Sequence, residues 1–325
     1  MLAKTTLNCF KFLARTTPLA SPKFRFSSEK HEPFKSHSSM QEPLATNHFI
    51  SKNVGLNKFM QKVYNTTGLS VLGALGTSYA VLSLPLSGVA LSQIAIGGFI
   101  ASLVGLVGSS FMKPEYLVMK EPLNNKEQTE TIVARNSILR SALYGMGVMG
   151  LGLSAAPLLA FASMVSPSIV PTCLGLTAAI FGGASMAAYM MPKDKMLGYG
   201  RVLMGSLFGL IGLQLVGLGA AFFMGPNPFS LMLFKSSNYI AVGLFSVFIA
   251  YDTHFAIKMY ENKEPDHLGI AVQFLLDFWN IFTSLLRIWS SSDWSHTSLF
   301  VILSIVLNRC WSGAVFFLFF DRKLL

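Results

Sequence analysis

Charge is the scarcest commodity in this 325-residue chain. Only 12% of its residues are Asp, Glu, Lys or Arg, about half of the 25% usual in soluble domains. Cysteine is scarce as well: Cys9, Cys173 and Cys310 are too few and too far apart for a disulfide framework or a Cys-based metal site. No HExxH, CxxC or P-loop spacing occurs, so the usual signatures of zinc hydrolases, thiol redox enzymes and NTPases are missing. The chain reads as a non-enzyme with no cofactor. Its formal charge is +10, but the bases form no stripe and no nucleic-acid motif, which argues against a nucleic-acid partner.

What the chain has instead is apolar length. Residues of the set AVILMFWYC make up 52%, and the mean hydropathy is +0.52. From Thr66 onward they fall into blocks of roughly 18–25 residues, the length a helix needs to cross a bilayer. The blocks are Thr66–Leu84, Gly88–Met112, Leu139–Met164, Ile169–Met191, Val202–Met224, Asn238–Ile257 and Leu268–Trp289. The expectation is an all-α polytopic membrane protein of seven spans, and a soluble α/β enzyme is excluded. A further stretch, Ser298–Phe320, is interrupted by Asn308-Arg309, a costly pair at bilayer depth. It is read as an eighth span, because a crossing would return Arg322 and Lys323 to the basic side.

Loop charge tests the count, since Lys and Arg mark one face of a membrane. With alternating spans, one face receives Lys52, Lys58, Lys62, Lys113, Lys120, Lys126, Arg135, Arg140, Lys193, Lys195, Arg201, Lys258 and Lys263. The first three loops on the opposite face contain only Lys235. A wrong count would scatter these bases over both faces.

Residues 1–28 carry Lys4, Lys11, Arg15, Lys23 and Arg25, several hydroxyls and no acid. Leu2, Leu7, Phe10, Phe12 and Leu13 suffice for a short amphipathic helix. This is the composition of a mitochondrial transit peptide, without the apolar core of a secretory signal. A disordered basic arm is the alternative. Arg25-Phe26-Ser27 resembles a matrix-peptidase site, which sets the segments as 1–27 transit peptide, 28–57 polar leader, 58–290 membrane domain and 291–325 hydrophobic extension. An imported N-terminus makes the basic face the matrix face of the mitochondrial inner membrane.

Among 15 acidic residues, only Asp252 and Asp277 lie well inside apolar spans. An ionisable group there costs about 2.5–3.5 kcal/mol on insertion scales and is a functional candidate by default. Asp252 precedes Lys258 by six residues and Asp277 follows His267 by ten, depths of roughly 9 and 15 Å from the basic boundary at about 1.5 Å per residue. The short connection 258–267 makes the two helices antiparallel neighbours, so the acids can meet. Two carboxylates in a low dielectric do not both ionise cheaply; sharing a proton, they titrate as a unit. Ionised, they offer the hard oxygen ligands that Ca²⁺ takes, and a transient Ca²⁺ site exchanging with protons follows. In the plainer alternative, each acid hydrogen-bonds Asn280, Ser246, Thr253 or an arginine and fixes packing.

His254 could relay protons, but two residues turn a helix by about 200°, so a surface or headgroup histidine is expected. Arg287 is expected to snorkel to the interface. Arg135 and Arg140, at the mouth of the third span, read as topology anchors; a salt bridge to an aspartate, with a gating role, is the sharper alternative. Pro157 should kink the third span. The Gly145, Gly147, Gly150, Gly152 run and Gly205-xxx-Gly209 suit close helix packing within the bundle.

Leu244-Phe245-Ser246 followed by Tyr251-Asp252-Thr253, and Leu276-Asp277-Phe278-Trp279-Asn280-Ile281-Phe282 followed by Leu285-Leu286-Arg287, resemble the sixth- and seventh-helix motifs of the transmembrane Bax inhibitor motif family. Lys62-Val63-Tyr64 resembles the residues that precede its first helix. The resemblance covers about 58–290, and the transit peptide points to its mitochondrial branch. It implies seven helices with the last wrapped by the other six, and a pH-sensitive Ca²⁺ leak or Ca²⁺/H⁺ exchange sensed by Asp252 and Asp277. For the mitochondrial branch it implies inner-membrane residence and support of cristae. His254, where the family often has Gln, and the tail 295–325 depart from the pattern, and no arginine of this chain is assigned as the family's gate. The partners expected are Ca²⁺, protons, the bilayer and inner-membrane proteins. The competing reading is a structural inner-membrane protein supporting cristae or respiratory assemblies without ion transport. A mitochondrial carrier is excluded: P-x-[DE]-x-x-[KR] begins at Pro192-Lys193-Asp194 but meets Leu197 at its basic position, with no threefold repeat.

Overall fold

The computed structural model describes residues 54–123, 127–224 and 228–290. The transit peptide, most of the leader and the eighth span lie outside these residues. Eight helices and one hairpin are described: α1 Val54–Leu82, α2 Gly88–Phe111, β1 Glu115–Leu123, β2 Glu127–Arg135, α3 Ile138–Val165, α4 Ile169–Met190, the short α5 Lys193–Gly198, α6 Gly200–Met224, α7 Pro228–Glu261 and α8 His267–Ser290. Seven of these helices are long. Six, α2, α3, α4, α6, α7 and α8, are both long and apolar enough to cross a membrane. This is an all-α, multi-pass membrane bundle.

The first helix differs from the sequence expectation in two ways. It is not among the six, because Thr66, Thr67, Ser70, Thr77 and Ser78 dilute its apolar content. Most of those hydroxyls return to their own helix, as in Thr67 Oγ1 donating to the Val63 carbonyl at 3.0 Å and Ser70 Oγ to that of Thr66 at 2.8 Å, so their burial leaves few polar atoms unmet. The helix also starts twelve residues before the expected Thr66. Leu56, Phe59, Met60 and Val63 recur at helical spacing and form an apolar stripe that packs on Ala256, Ile257, Ile270 and Phe274.

The hairpin was not expected. β1 and β2 pair antiparallel in a register that sets Glu115 opposite Arg135 and Leu123 opposite Glu127. It occupies the basic-face loop between α2 and α3.

Serine caps open two spans: Ser87 accepts from the Ala90 amide at 3.3 Å and Ser137 from the Arg140 amide at 3.2 Å. α3 runs on through Pro157 rather than breaking there. The α2–α3 seam depends on glycine. A Cβ at Gly105 would strike the Gly147 amide and the Leu143 carbonyl, and one at Gly150 would strike the Ser102 amide and the Gly98 carbonyl. Gly152 meets α1 in the same way, at the Ala74 carbonyl, where Ser78 Oγ donates to the Gly152 carbonyl at 2.6 Å. Gly145, Gly205 and Gly209 have no such neighbours, so the internal-packing expectation holds for part of the first run and fails for the Gly205-xxx-Gly209 pair.

α8 is the centre of the bundle. Every residue in its apolar window is buried, and it packs against α7, α1, α4 and α3, with a lesser contact to α2. α6 instead packs mainly on α7, so the expected wrapping by six helices is chiefly a wrapping by five. Its neighbour α7 ends in a Schellman turn: the Glu264 amide reaches the Met259 carbonyl and the Lys263 amide that of Tyr260, each at 3.0 Å. Lys263 adopts φ 64° there, a left-handed conformation natural to glycine. Lys263→Gly should therefore raise stability by about 0.5–1 kcal/mol, read as a higher thermal midpoint of the detergent-solubilised protein. A lower midpoint would contradict this account of the turn.

Candidate functional site

α7 and α8 carry the two membrane acids into the most enclosed part of the bundle. Asp252 is 1% and Asp277 3% exposed. Along α7 every residue from Phe248 to His254 is buried, and the helix as a whole packs on α8, α6, α4 and α1. α7 continues past the expected boundary at Lys258 to Glu261, nine residues beyond Asp252, while Asp277 lies ten residues into α8. The depths become about 14 and 15 Å at 1.5 Å per residue, closer than the sequence arithmetic allowed. The two acids interact: the charge of Asp252 acts on the Asp277 carboxyl.

The three polar residues named as their support each make a bond to a carbonyl of their own helix. Thr253 Oγ1 donates to the Ile249 carbonyl at 2.8 Å, Ser246 Oγ to that of Val242 at 2.6 Å, and Asn280 Nδ2 to that of Leu276 at 2.8 Å. Each of these bonds lies within its own helix. His254 is a correction. It is 2% exposed, not at the surface or among headgroups, since α7 is enclosed on all sides at this level. Arg287 is another: it is 3% exposed, because α8 stays central to its last turn and leaves the guanidinium no route out along its own helix.

Arg140 is more than an anchor. It is 1% exposed at the start of α3, and it ties three chain segments together. Its Nη2 donates to Asp266 Oδ2 at 2.6 Å, its Nε to the Ser109 carbonyl at the end of α2 at 3.0 Å, and its Nη1 to Asn136 Oδ1 at 2.5 Å. The salt bridge to an aspartate exists, but the partner is Asp266 rather than either membrane acid. Asp266 in turn caps α8, its Oδ1 accepting from the Gly269 amide at 3.0 Å, and His267 Nε2 lies 3.2 Å from Asn136 Nδ2. Tyr116, at the start of β1, feels the charges of this cluster. Burial, and then the charges of Asp266 and Glu264, push the Tyr116 phenol up to about 12 against the opposing pull of Arg140. Arg135 is exposed at the end of β2 and stays outside the cluster.

Sequence reasoning missed Asp266, Asn136 and His267. A signal for Asp266 was present: an Asp immediately before an apolar helical run, after Pro265, is a typical helix start. Among the described residues no group of three or more His, Cys, Asp or Glu could hold a metal ion.

The family model described as "Inhibitor of apoptosis-promoting Bax1" matches residues 56–294, a stretch that contains α7, α8 and both acids. The chain belongs to the Bax1-I family. Among relatives of this Bax1-I protein, Bax inhibitor 1 of Homo sapiens is 30% identical over 142 residues, 44% of this chain and 56% of the human protein. Bax inhibitor 1 of Mus musculus is 30% identical over 137 residues, 42% of this chain and 54% of the mouse protein. An uncharacterized protein of Caulobacter vibrioides is 28% identical over 247 residues, 73% of this chain and 90% of that protein. The Bax1-I chain thus spans little more than half the length of the mammalian relatives it matches.

Proposed function

We propose that this chain passes Ca²⁺ across the mitochondrial inner membrane, as a pH-sensitive leak or in exchange for protons, through the Asp252–Asp277 pair. The observation that carries the reading is the burial of two interacting carboxyls on adjacent central helices. A buried acid pair at bilayer depth is expensive to keep, and a task in ion handling accounts for the expense. Each carboxylate is a hard oxygen ligand suited to Ca²⁺. A proton shared between the two occupies the position a cation would take, so protons and Ca²⁺ compete for one site. Flux then falls as the pH drops and the pair takes up protons. Arg140, bound to Asp266, positions the basic-face end of α8 and is not itself the partner of the pair. The basic arm of residues 1–28 and the basic face of the spans support this compartment and an N-terminus on the matrix side.

The test is Ca²⁺ flux into liposomes reconstituted with the purified full chain. Wild-type flux should rise with pH across the neutral range. Asp252→Asn/Asp277→Asn should lose that dependence and carry roughly tenfold less Ca²⁺ at alkaline pH, since amides are weaker ligands than carboxylates. An unchanged pH profile in the double variant, with its thermal midpoint intact, would overturn the proposal. Absence of flux from the well-folded wild type would favour the structural role in cristae instead.

A further inference from the structure

α8 is buried along almost its whole length yet carries many polar side chains, and the helix itself absorbs several of them. Thr283 Oγ1 donates to the Trp279 carbonyl at 2.9 Å and Ser290 Oγ to that of Leu286 at 2.6 Å. Gln273 is different. It is 5% exposed, and among the described residues no donor meets its amide oxygen. A buried acceptor without a hydrogen bond bears its desolvation cost uncompensated, which an apolar side chain at this position would avoid. Its place on the helix is equally specific. Residues four apart are neighbours on one helix face, about 5–6 Å between Cβ atoms, and the residue four beyond Gln273 is Asp277. Asp277 Oδ2 is also buried and meets no donor among the described residues.

We infer that the Gln273 amide oxygen is a ligand for the cation at the Asp252–Asp277 pair, on the side of the pair towards the basic face. The assignment rests on the Ca²⁺ reading above and supplies something the pair lacks. Ca²⁺ takes roughly six to eight oxygens, of which two carboxylates provide at most about four. No third His, Cys, Asp or Glu joins the acids in a metal-holding group among the described residues, so further protein ligands come from neutral oxygens. A glutamine carbonyl is one that Ca²⁺ accepts, and this one has no hydrogen bond to a described residue to give up. Depth places it on the route. Gln273 lies six residues into α8 and Asp277 ten, about 9 and 15 Å along the axis. On the face they share, Gly269 and Ile270 separate Gln273 from Asp266. Gln273 is therefore the first oxygen-bearing side chain of that face between the Asp266 end of the helix and the pair. The acids bind by charge, and Gln273 adds a ligand whose protonation does not change with pH.

The experiment measures Ca²⁺ flux into liposomes reconstituted with the full chain, over a range of Ca²⁺ concentrations at alkaline pH, beside the thermal midpoint in detergent. Gln273→Met keeps the volume and removes the oxygen. It should raise the half-saturating Ca²⁺ concentration roughly tenfold, since affinity follows the number and charge of the ligands. Its midpoint should be unchanged or higher, because an unbonded buried amide adds nothing to the fold. Gln273→Glu, which restores an oxygen and adds charge, should bring half-saturation to the wild-type concentration or below. Half-saturation unchanged in Gln273→Met would overturn the assignment. A midpoint lowered in both Gln273→Met and Gln273→Leu, or failure of both to fold, would show the amide bonded within the fold and would overturn it as well. Unchanged half-saturation beside a lost pH dependence in Asp252→Asn/Asp277→Asn would remove the Gln273 ligand and leave the Ca²⁺ reading standing. Absence of flux from the wild type would remove both.

Discussion

Asp266→Ala is expected to destabilise the protein by about 3–5 kcal/mol, the cost of removing one partner from a buried ion pair. The variant strands the Arg140 guanidinium, which is 1% exposed, and strips α8 of the cap at the Gly269 amide. Arg140→Ala should be milder. The Asp266 side chain is 13% exposed, so water can reach the abandoned carboxylate, and its bond to the Gly269 amide survives. The charge-conserving Arg140→Lys should fail to rescue, because an ammonium cannot donate at once to Asp266, the Ser109 carbonyl and Asn136. Arg140→Met/Asp266→Asn, which removes both charges, should cost less than Asp266→Ala alone. Thermal unfolding in detergent ranks the four. Equal losses for Asp266→Ala and Arg140→Ala would show that burial does not set the order.

The second large effect is steric. Gly105→Ala should cost about 1–3 kcal/mol or more, because the added carbon meets the backbone of Gly147 and Leu143, and no side-chain rotation relieves that overlap. Separating α2 from α3 would also pull on Arg140, which joins the end of α2 to the start of α3. Gly209→Ala is the control. Nothing lies within 4 Å of the new carbon, and alanine is the better helix former by about 1 kcal/mol, so its effect should be neutral or stabilising. Opposite signs for two glycine-to-alanine changes in apolar helices would separate packing from propensity. Equal effects would mean that the α2–α3 seam is looser than described.

Much of this molecule was legible along the chain, because the bilayer reduces the problem to one dimension. Apolar length located the spans, loop charge gave their alternation, and the cost of a carboxylate in hydrocarbon singled out Asp252 and Asp277 without any contact being known. The short link between α7 and α8 made them antiparallel neighbours, although the expected depths of the two acids lay further apart than the longer α7 sets them. What escaped depends on which way a residue faces. His254 and Arg287 look like surface groups when helix ends are assumed to be wet, and they are buried because α8 is enclosed along its length. The hairpin escaped because Pro122 and scattered charges broke any clear alternation in residues 115–135. The glycines of α3 and α6 look alike in sequence, yet a Cβ at Gly147 or Gly150 would strike α2 while one at Gly205 or Gly209 meets nothing among the described residues.

The scarcity of charge decided, from sequence alone, that the chain lies in a membrane and which two acids are costly there. Only the tertiary structure decided that Arg140 pairs with Asp266, 126 residues away, and that no donor among the described residues meets the Gln273 amide oxygen. The physical reason is that solvation cost belongs to a residue and its immediate sequence, whereas a partner belongs to whichever helix faces have been packed together.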